Sequence, residues 1–195
     1  GNGDFTPFDI RADYLAYVDG KPREEGVRSF LASRNIELPE GRHDDEEVIE
    51  SIAALGSRKN SCFLELLSLG VKTYKSSIKL LLKLRNFGFL TAVVSSSKNC
   101  HHILESANLK SYFDVIVDGL DLAALDLKGK PKPDLFLEAV KRLNVRPDRA
   151  VVIEDAVVGV AAGKKGKFAK VVGVDRGRNA RALKRAGADL VQLFD

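Results

Sequence analysis

The sequence predicts an α/β protein, with a Rossmann-like parallel-sheet core preceded by an all-helical cap. Three observations predict it. Short, nearly all-apolar runs recur through the second half of the chain, amphipathic helical stretches alternate with them, and the first half has helical spacing without such runs. A run of this kind is what a parallel strand covered on both faces looks like, and strands alternating with helices imply right-handed crossovers. The division falls near Thr73–Ser77, giving a cap over residues 1–74 and a core over residues 75–195.

In the cap, Ala12–Val18 reads as a helix, and Arg23–Arg34 follows with Val27, Phe30 and Leu31 at helical spacing. Asp44–Leu55 reads as a third helix, because the cluster His43-Asp44-Asp45-Glu46-Glu47 suits the positive end of a helix dipole. Arg58–Leu69 is the fourth. The core opens on the amphipathic helix Ser77–Phe87 and the buried strand Leu90–Val94. Asn99–Ala107 reads as helix, Phe113–Val117 as strand and Pro133–Leu143 as helix. Ala150–Ile153 is the next buried strand, followed by the helix Val157–Lys165 and the strand Val171–Val174. The helix Asn179–Ala186 and the short strand Leu190–Leu193 close the chain. In such sheets ligands bind beyond the carboxyl ends of the strands.

A length of 195 residues suits one α/β domain with a modest appendage. No apolar run reaches the roughly 18 residues of a membrane helix, and no basic-then-apolar leader opens the chain, so no membrane partner is expected. Two cysteines, Cys62 and Cys100, lie far apart, which points to a reducing, cytoplasmic setting and away from a disulfide or zinc framework. The net charge is +4, densest around Lys164, Lys165, Lys167, Lys170, Arg176 and Arg178. No aromatic residues interleave there for base stacking, so we read a solvated lysine-rich surface rather than a nucleic-acid patch. An inward-facing site for a phosphorylated metabolite accounts for part of the excess. A monomer is the default expectation. The chain contains no methionine and opens on Gly1, so a fragment, or a sequence that has lost residues, is expected.

Three strand ends carry the polar residues. The first is Ser95-Ser96-Ser97-Lys98-Asn99, where hydroxyls and free N–H groups at a helix start make either an anion seat or a plain helix cap. The second is Gly129-Lys130-Pro131-Lys132-Pro133-Asp134, a stiff turn that can aim the Lys130 charge at a phosphoryl oxygen, or serve only as a turn. The third is Glu154-Asp155, adjacent carboxylates at a buried strand end. They repel unless a cation or donors compensate, and as hard oxygen ligands they suit Mg2+. The bland alternative is one acid capping the helix and the other pairing with a lysine.

Serine, Lys-Pro and paired acids in this order resemble motifs two, three and four of the haloacid dehalogenase superfamily. Val94–Asn99 (VSSSKN), Gly129–Asp134 (GKPKPD), Ile153–Gly159 (IEDAVVG) and Val172–Arg176 (VGVDR) are similar to its β-phosphoglucomutase-like branch. The front unit resembles that branch's cap, with Gly56-Ser57-Arg58-Lys59 similar to the loop whose arginine grips a distal phosphate. The resemblance implies phosphoryl transfer through an aspartyl-phosphate with Mg2+ beside it. Ser95 would bind the transferring phosphoryl group, Lys130 would neutralise its charge, and Glu154 and Asp155 would hold Mg2+. Arg58 would bind the far phosphate of a phosphorylated sugar, with Ser96, Ser97, Lys98 and Asn99 close to that substrate.

The superfamily's first motif, a strand ending Asp-x-Asp-Gly that supplies the nucleophile and the acid/base, has no counterpart in the sequence. Tyr17 stands where Tyr14–Gly20 would need the nucleophile, and neither Asp4 nor Asp9 follows an apolar strand. The motif is expected upstream of Gly1, and without it the chain is expected to be inactive. The expected function is interconversion of a β-hexose 1-phosphate and the 6-phosphate. The alternatives are a sugar-phosphate phosphatase of the same superfamily and a non-catalytic phosphosugar-binding fragment.

Overall fold

The computed structural model describes residues 3–42, 50–176 and 179–193. The acidic cluster 43–47 and the first half of the helix expected from Asp44 lie outside the described residues, as does Arg178. The chain divides into two compact units, Gly1–Gly70 and Val71–Asp195. Among the described residues no helix is long and apolar enough to cross a membrane.

The N-terminal unit contains α1 (Arg23–Ser33) and α2 (Ile52–Ser68). The helix expected over Ala12–Val18 is mostly one widened turn, in which the Asp19 N–H reaches back five residues to the Tyr14 carbonyl at 2.8 Å. α1 starts directly after Pro22, with Glu24 and Glu25 in its first turn where the helix dipole favours them. α2 corrects the expectation of two helices joined by a loop. Ser51 caps it, its Oγ accepting the Ala54 N–H at 3.1 Å, and it runs unbroken through Gly56-Ser57-Arg58-Lys59. Gly and Ser read as punctuation in the sequence, but Ile52, Ala53, Ala54 and Gly56 are buried, and α1 and α2 pack together. Burial of that face outweighs the low intrinsic helix propensity of Gly56.

The second unit is α/β. Its elements are α3 (Lys75–Asn86), β1 (Ala92–Val94), α4 (Cys100–Ser106), β2 (Val115–Val117), α5 (Gly119–Ala124), α6 (Asp134–Arg142), β3 (Val151–Glu154), α7 (Val157–Lys165), β4 (Lys170–Asp175), α8 (Ala180–Arg185) and β5 (Leu190–Leu193). Among the described residues every strand pairing is parallel, and the strands form two sheets instead of one continuous sheet: β1–β2 and β3–β4–β5. Val94 pairs with Val117, and Glu154 with Gly173, so the carboxyl ends are aligned within each sheet. β1 and β3 each carry a ladder on one side only among the described residues. Val151 and Ile153 of β3 are 56% and 44% exposed, unlike the interior strand their apolar run predicts.

Helix α5 has no expected counterpart. Asp118 and Asp121 close a capping box around its start, each carboxylate accepting a main-chain N–H from the other side. The main core cluster joins Phe136, Val140, Val152, Val160, Phe168, Val171 and Leu183. A second gathers Val117, Leu135 and Ala139, and Val94 packs against both.

Candidate active site

Beyond β1, the serine loop is organised by its own hydroxyls. Ser95 Oγ accepts the Ser97 N–H and Ser97 Oγ accepts the Asn99 N–H, both at 3.1 Å. These short side-chain turns curl the backbone ahead of α4. Ser96 and Asn99 are buried and Lys98 is exposed. The loop is clamped from the end of β2: the Ser95 N–H donates to the Val117 carbonyl at 3.0 Å, and the Gly119 N–H to the Ser97 carbonyl at 3.2 Å. A Cβ on Gly119 would lie 2.7 Å from both the Lys98 nitrogen and the Ser96 oxygen, so glycine is what lets the two loops close together.

Sequence reasoning missed Asp118, which is 1% exposed. Its Oδ1 accepts the N–H groups of Leu120 and Asp121, while its buried Oδ2 has no hydrogen-bond partner among the described residues. The Asp-x-x-Asp spacing was the available signal. Cys100, buried beside it, has its thiol pushed up to about 11, first by burial and then by the Asp118 charge, with the Ser95 hydroxyl pulling the other way.

Lys130 is 4% exposed, and its ammonium has two neighbours. Nζ donates to Glu154 Oε2 at 3.0 Å and lies 4.9 Å from the centroid of the Phe136 ring. The turn that holds it contains a cis Lys130–Pro131 bond, with the Lys132 N–H donating to the Gly129 carbonyl and the Lys128 N–H to Asp134 Oδ2. Glu154 ends β3. Burial raises its carboxyl above the ordinary range, the Lys130 charge and hydrogen bond oppose that rise, and the Asp155 charge adds to it. A Cβ on Gly159 would overlap the Glu154 carboxyl, so the first turn of α7 is opened for that side chain by glycine. Asp155 is different: its side chain is 57% exposed, with Arg176 Nε 3.3 Å from Oδ2.

One apolar cluster sets the three polar segments, of which the Lys130 turn follows α5 and leads into α6 rather than ending a strand as expected. Val94, just before Ser95, packs on the group that contains Phe136 and Val152; Phe136 faces the Lys130 ammonium, and Val152 lies two residues before Glu154. The structure therefore joins Lys130 and Glu154 directly, and anchors the Ser95 loop on the same core. Among the described residues no group of three or more His, Cys, Asp or Glu could hold a metal ion unaided.

Arg58 lies in the other unit, exposed on the unbroken helix α2 and not in a loop opening a helix, which corrects the setting expected for it. A second basic pair stands out there. Lys59 has its ammonium pKa lowered, first by partial burial and then by the charge of Arg23. Arg23 reaches α2, where its Nη2 donates to Asn60 Oδ1 at 2.7 Å. Two like charges brought together by packing of α1 on α2 are invisible to a reading of either helix alone.

A family model for haloacid dehalogenase-like hydrolases matches residues 6–167. A β-phosphoglucomutase of Mycobacterium bovis is 48% identical over 191 residues, which span 96% of this chain and 73% of the relative. A β-phosphoglucomutase of Bacillus subtilis is 35% identical over 188 residues, covering 95% of this chain and 74% of that protein. Among solved structures, a β-phosphoglucomutase of Clostridium difficile matches with a TM-score of 0.76 at 26% identity, over 94% of this chain and 76% of that one.

Proposed function

Because the chain belongs to the haloacid dehalogenase-like hydrolase family, we propose that it transfers phosphoryl groups on a phosphorylated sugar, as a β-phosphoglucomutase-like isomerase acting in the cytoplasm. The observation that carries this reading is the buried Lys130–Glu154 pair at a strand end, next to the exposed carboxylate of Asp155. An ammonium fixed by a stiff turn offers preorganised positive charge to a transferring phosphoryl group, the kind of contact that stabilises a transition state without reorganisation. The Ser95 hydroxyl, on a loop held rigid by its own hydrogen bonds, offers a contact to a phosphoryl oxygen from the other sheet.

Glu154 and Asp155 fit Mg2+, a hard cation that commonly takes one or two carboxylates and fills its remaining positions with water and phosphate oxygens. When bound, Mg2+ would supply further neutralisation of the phosphoryl charge. Lys130 limits the rise that burial imposes on the Glu154 carboxyl, so the metal seat and the phosphate contact depend on one pair. The nucleophilic aspartate is assigned to a strand pairing between β1 and β3. The one-sided ladders of those strands and the exposure of Val151 and Ile153 support that position.

A mutase must hold a second phosphate while the first reacts. We assign that role to Arg23 and Lys59, with Asn60 beside them, in preference to Arg58. An anion between two facing cations relieves their repulsion, and a guanidinium can bind phosphate bidentately. The phosphatase reading shares every residue of the core unit and differs only in whether water or a sugar takes the phosphoryl group.

The test compares two reactions of the intact protein: conversion of β-glucose 1-phosphate to glucose 6-phosphate, primed with the bisphosphate, and hydrolysis of a small aryl phosphate. Arg23→Ala should lower the first by about a hundredfold, the size of effect that misplacing a reacting group has, and leave the second within about twofold. A larger loss from Arg58→Ala would return the distal-phosphate role to Arg58. A wild-type protein that only releases inorganic phosphate would make the phosphatase reading the right one.

A further inference from the structure

We propose that Arg176 is a positioning residue for the cation seat: it holds the Asp155 carboxylate by one oxygen, and Tyr74 and Ser77 hold Arg176. The proposal rests on Glu154 and Asp155 being that seat.

Arg176 directly follows the last residue of β4, and its side chain is 21% exposed. Three groups from two other elements meet its guanidinium. Nε lies 3.3 Å from Asp155 Oδ2, just beyond β3. Cζ lies 3.6 Å from the centroid of the Tyr74 ring, and Nη2 donates to Ser77 Oγ at 3.0 Å. Tyr74 and Ser77 are the cap and first-turn residues of α3. The guanidinium is thus fixed on a face and on an edge before it meets the acid.

That arrangement differs from a simple countercharge. A mobile cation would follow the carboxylate and compete with a metal for it, and a lysine on a flexible stem would serve as well. A planar guanidinium against an aromatic ring is preorganised and cannot follow. It meets Oδ2 and leaves Oδ1 for the cation. Neither Nε nor Nη1 has a hydrogen-bond partner among the described residues, although both atoms are buried. The contact with Asp155 is therefore one of charge without hydrogen-bond alignment, and buried donors of this kind call for an acceptor that completes them. The geometry links the start of α3 and the end of β4 to one oxygen of a metal ligand.

The experiment is calorimetric titration of MgCl2 into the intact protein at fixed ionic strength. Arg176→Ala should weaken Mg2+ binding about tenfold or more, as losses of groups that orient metal ligands do. Arg176→Lys should weaken it similarly, because it keeps the charge and loses the fork. Tyr74→Leu and Ser77→Ala leave Arg176 in place and should each cost about two- to fivefold, the scale of one cation–π or hydrogen-bond contact. Tyr74→Phe keeps the ring and should restore wild-type affinity. Unchanged or tighter binding in Arg176→Ala, or full affinity in Arg176→Lys, would overturn the proposal. If Arg176→Ala does not fold, wild-type affinity in both Tyr74→Leu and Ser77→Ala overturns it instead. Asp155→Asn separates the two claims: wild-type Mg2+ binding in that variant sinks the cation seat itself, whatever Arg176 does.

Discussion

At the carboxyl ends of β1 and β2 the polar groups are held by the main chain, while at the ends of β3 and β4 they are held by opposite charges. In the first half, Ser95 and Ser97 bond their own loop, the Val117 carbonyl and the Gly119 N–H clamp it, and Asp118 caps α5 through Oδ1. In the second half, Lys130 faces Glu154 and Arg176 faces Asp155. The difference follows from what each half must bind. A seat for phosphoryl oxygens needs N–H and hydroxyl donors held rigidly, which hydrogen bonds to backbone provide at little desolvation cost. A seat for a cation needs carboxylates that stay ionised, and burial works against that unless a fixed cation opposes it. Glu154 shows both influences at once, since burial raises its carboxyl pKa and Lys130 limits the rise.

Removing the charge that opposes the effect of burial on Glu154 should break the second half most severely. Lys130→Ala leaves a buried carboxylate without its cation, a change that commonly costs about 3–5 kcal/mol. Chemical denaturation of the metal-free protein would read that loss. In the intact protein kcat should fall by about a hundredfold or more, as losses of a preorganised charge contact do. A variant with normal kcat and only a raised KM would show that Lys130 binds substrate and transition state equally.

The first half should fail differently. Gly119→Ala would push a Cβ to 2.7 Å from the backbone of Ser96 and Lys98, closer than real contacts allow, so the serine loop must move. Overpacking of this kind costs about 1–3 kcal/mol. A shift of the phosphate seat should lower kcat/KM by about ten- to a hundredfold. Mg2+ affinity measured by calorimetry should stay at the wild-type value, because the clash lies on the other sheet. A drop in Mg2+ affinity equal to the drop in kcat/KM would show that the two halves are not separable.

How much of this was legible in the sequence tracks how local each feature is. The strands of the core, the helix Val157–Lys165 and the order Ser95, Lys130, Glu154–Asp155 are written in short runs whose period and end residues speak for themselves. The split into two sheets is not, because a strand's apolar run says that it is covered without saying which strand pairs with it. Gly56–Lys59 read as a loop, since the burial that keeps it helical comes from α1. The pairs Arg23–Lys59 and Arg176–Tyr74 join distant positions, and each member alone is an ordinary surface residue. Lys130–Glu154 was half legible: both residues stood out as ligands for phosphate and metal, and pairing of one acid with a lysine was the alternative, but which acid and which lysine needed the fold.

The smallest expected effect concerns Cys100, and it tests whether burial keeps that thiol neutral beside the serine loop and the Asp118 carboxylate. Its thiol is raised from 9.0 to about 11, chiefly by burial. A group whose folded pKa lies above its unfolded value binds more protons in the native state between those two values, so stability falls as pH rises through that window. The metal-free protein should therefore lose stability between pH 9.0 and about 11 by a component that Cys100→Ala removes. The variant should show little change in activity near neutral pH, where the thiol is neutral in either state. Thiol labelling gives a second view. At about pH 8 the exposed Cys62 should react with a disulfide reagent, and Cys100 only after unfolding, because the thiolate is the reactive form. Rapid reaction of both cysteines in the folded protein, or identical pH–stability curves for wild type and Cys100→Ala, would mean that the thiol is not held neutral by burial. The serine loop would then lie beside a titrating thiolate as well as Asp118, and the contrast between the two halves would narrow.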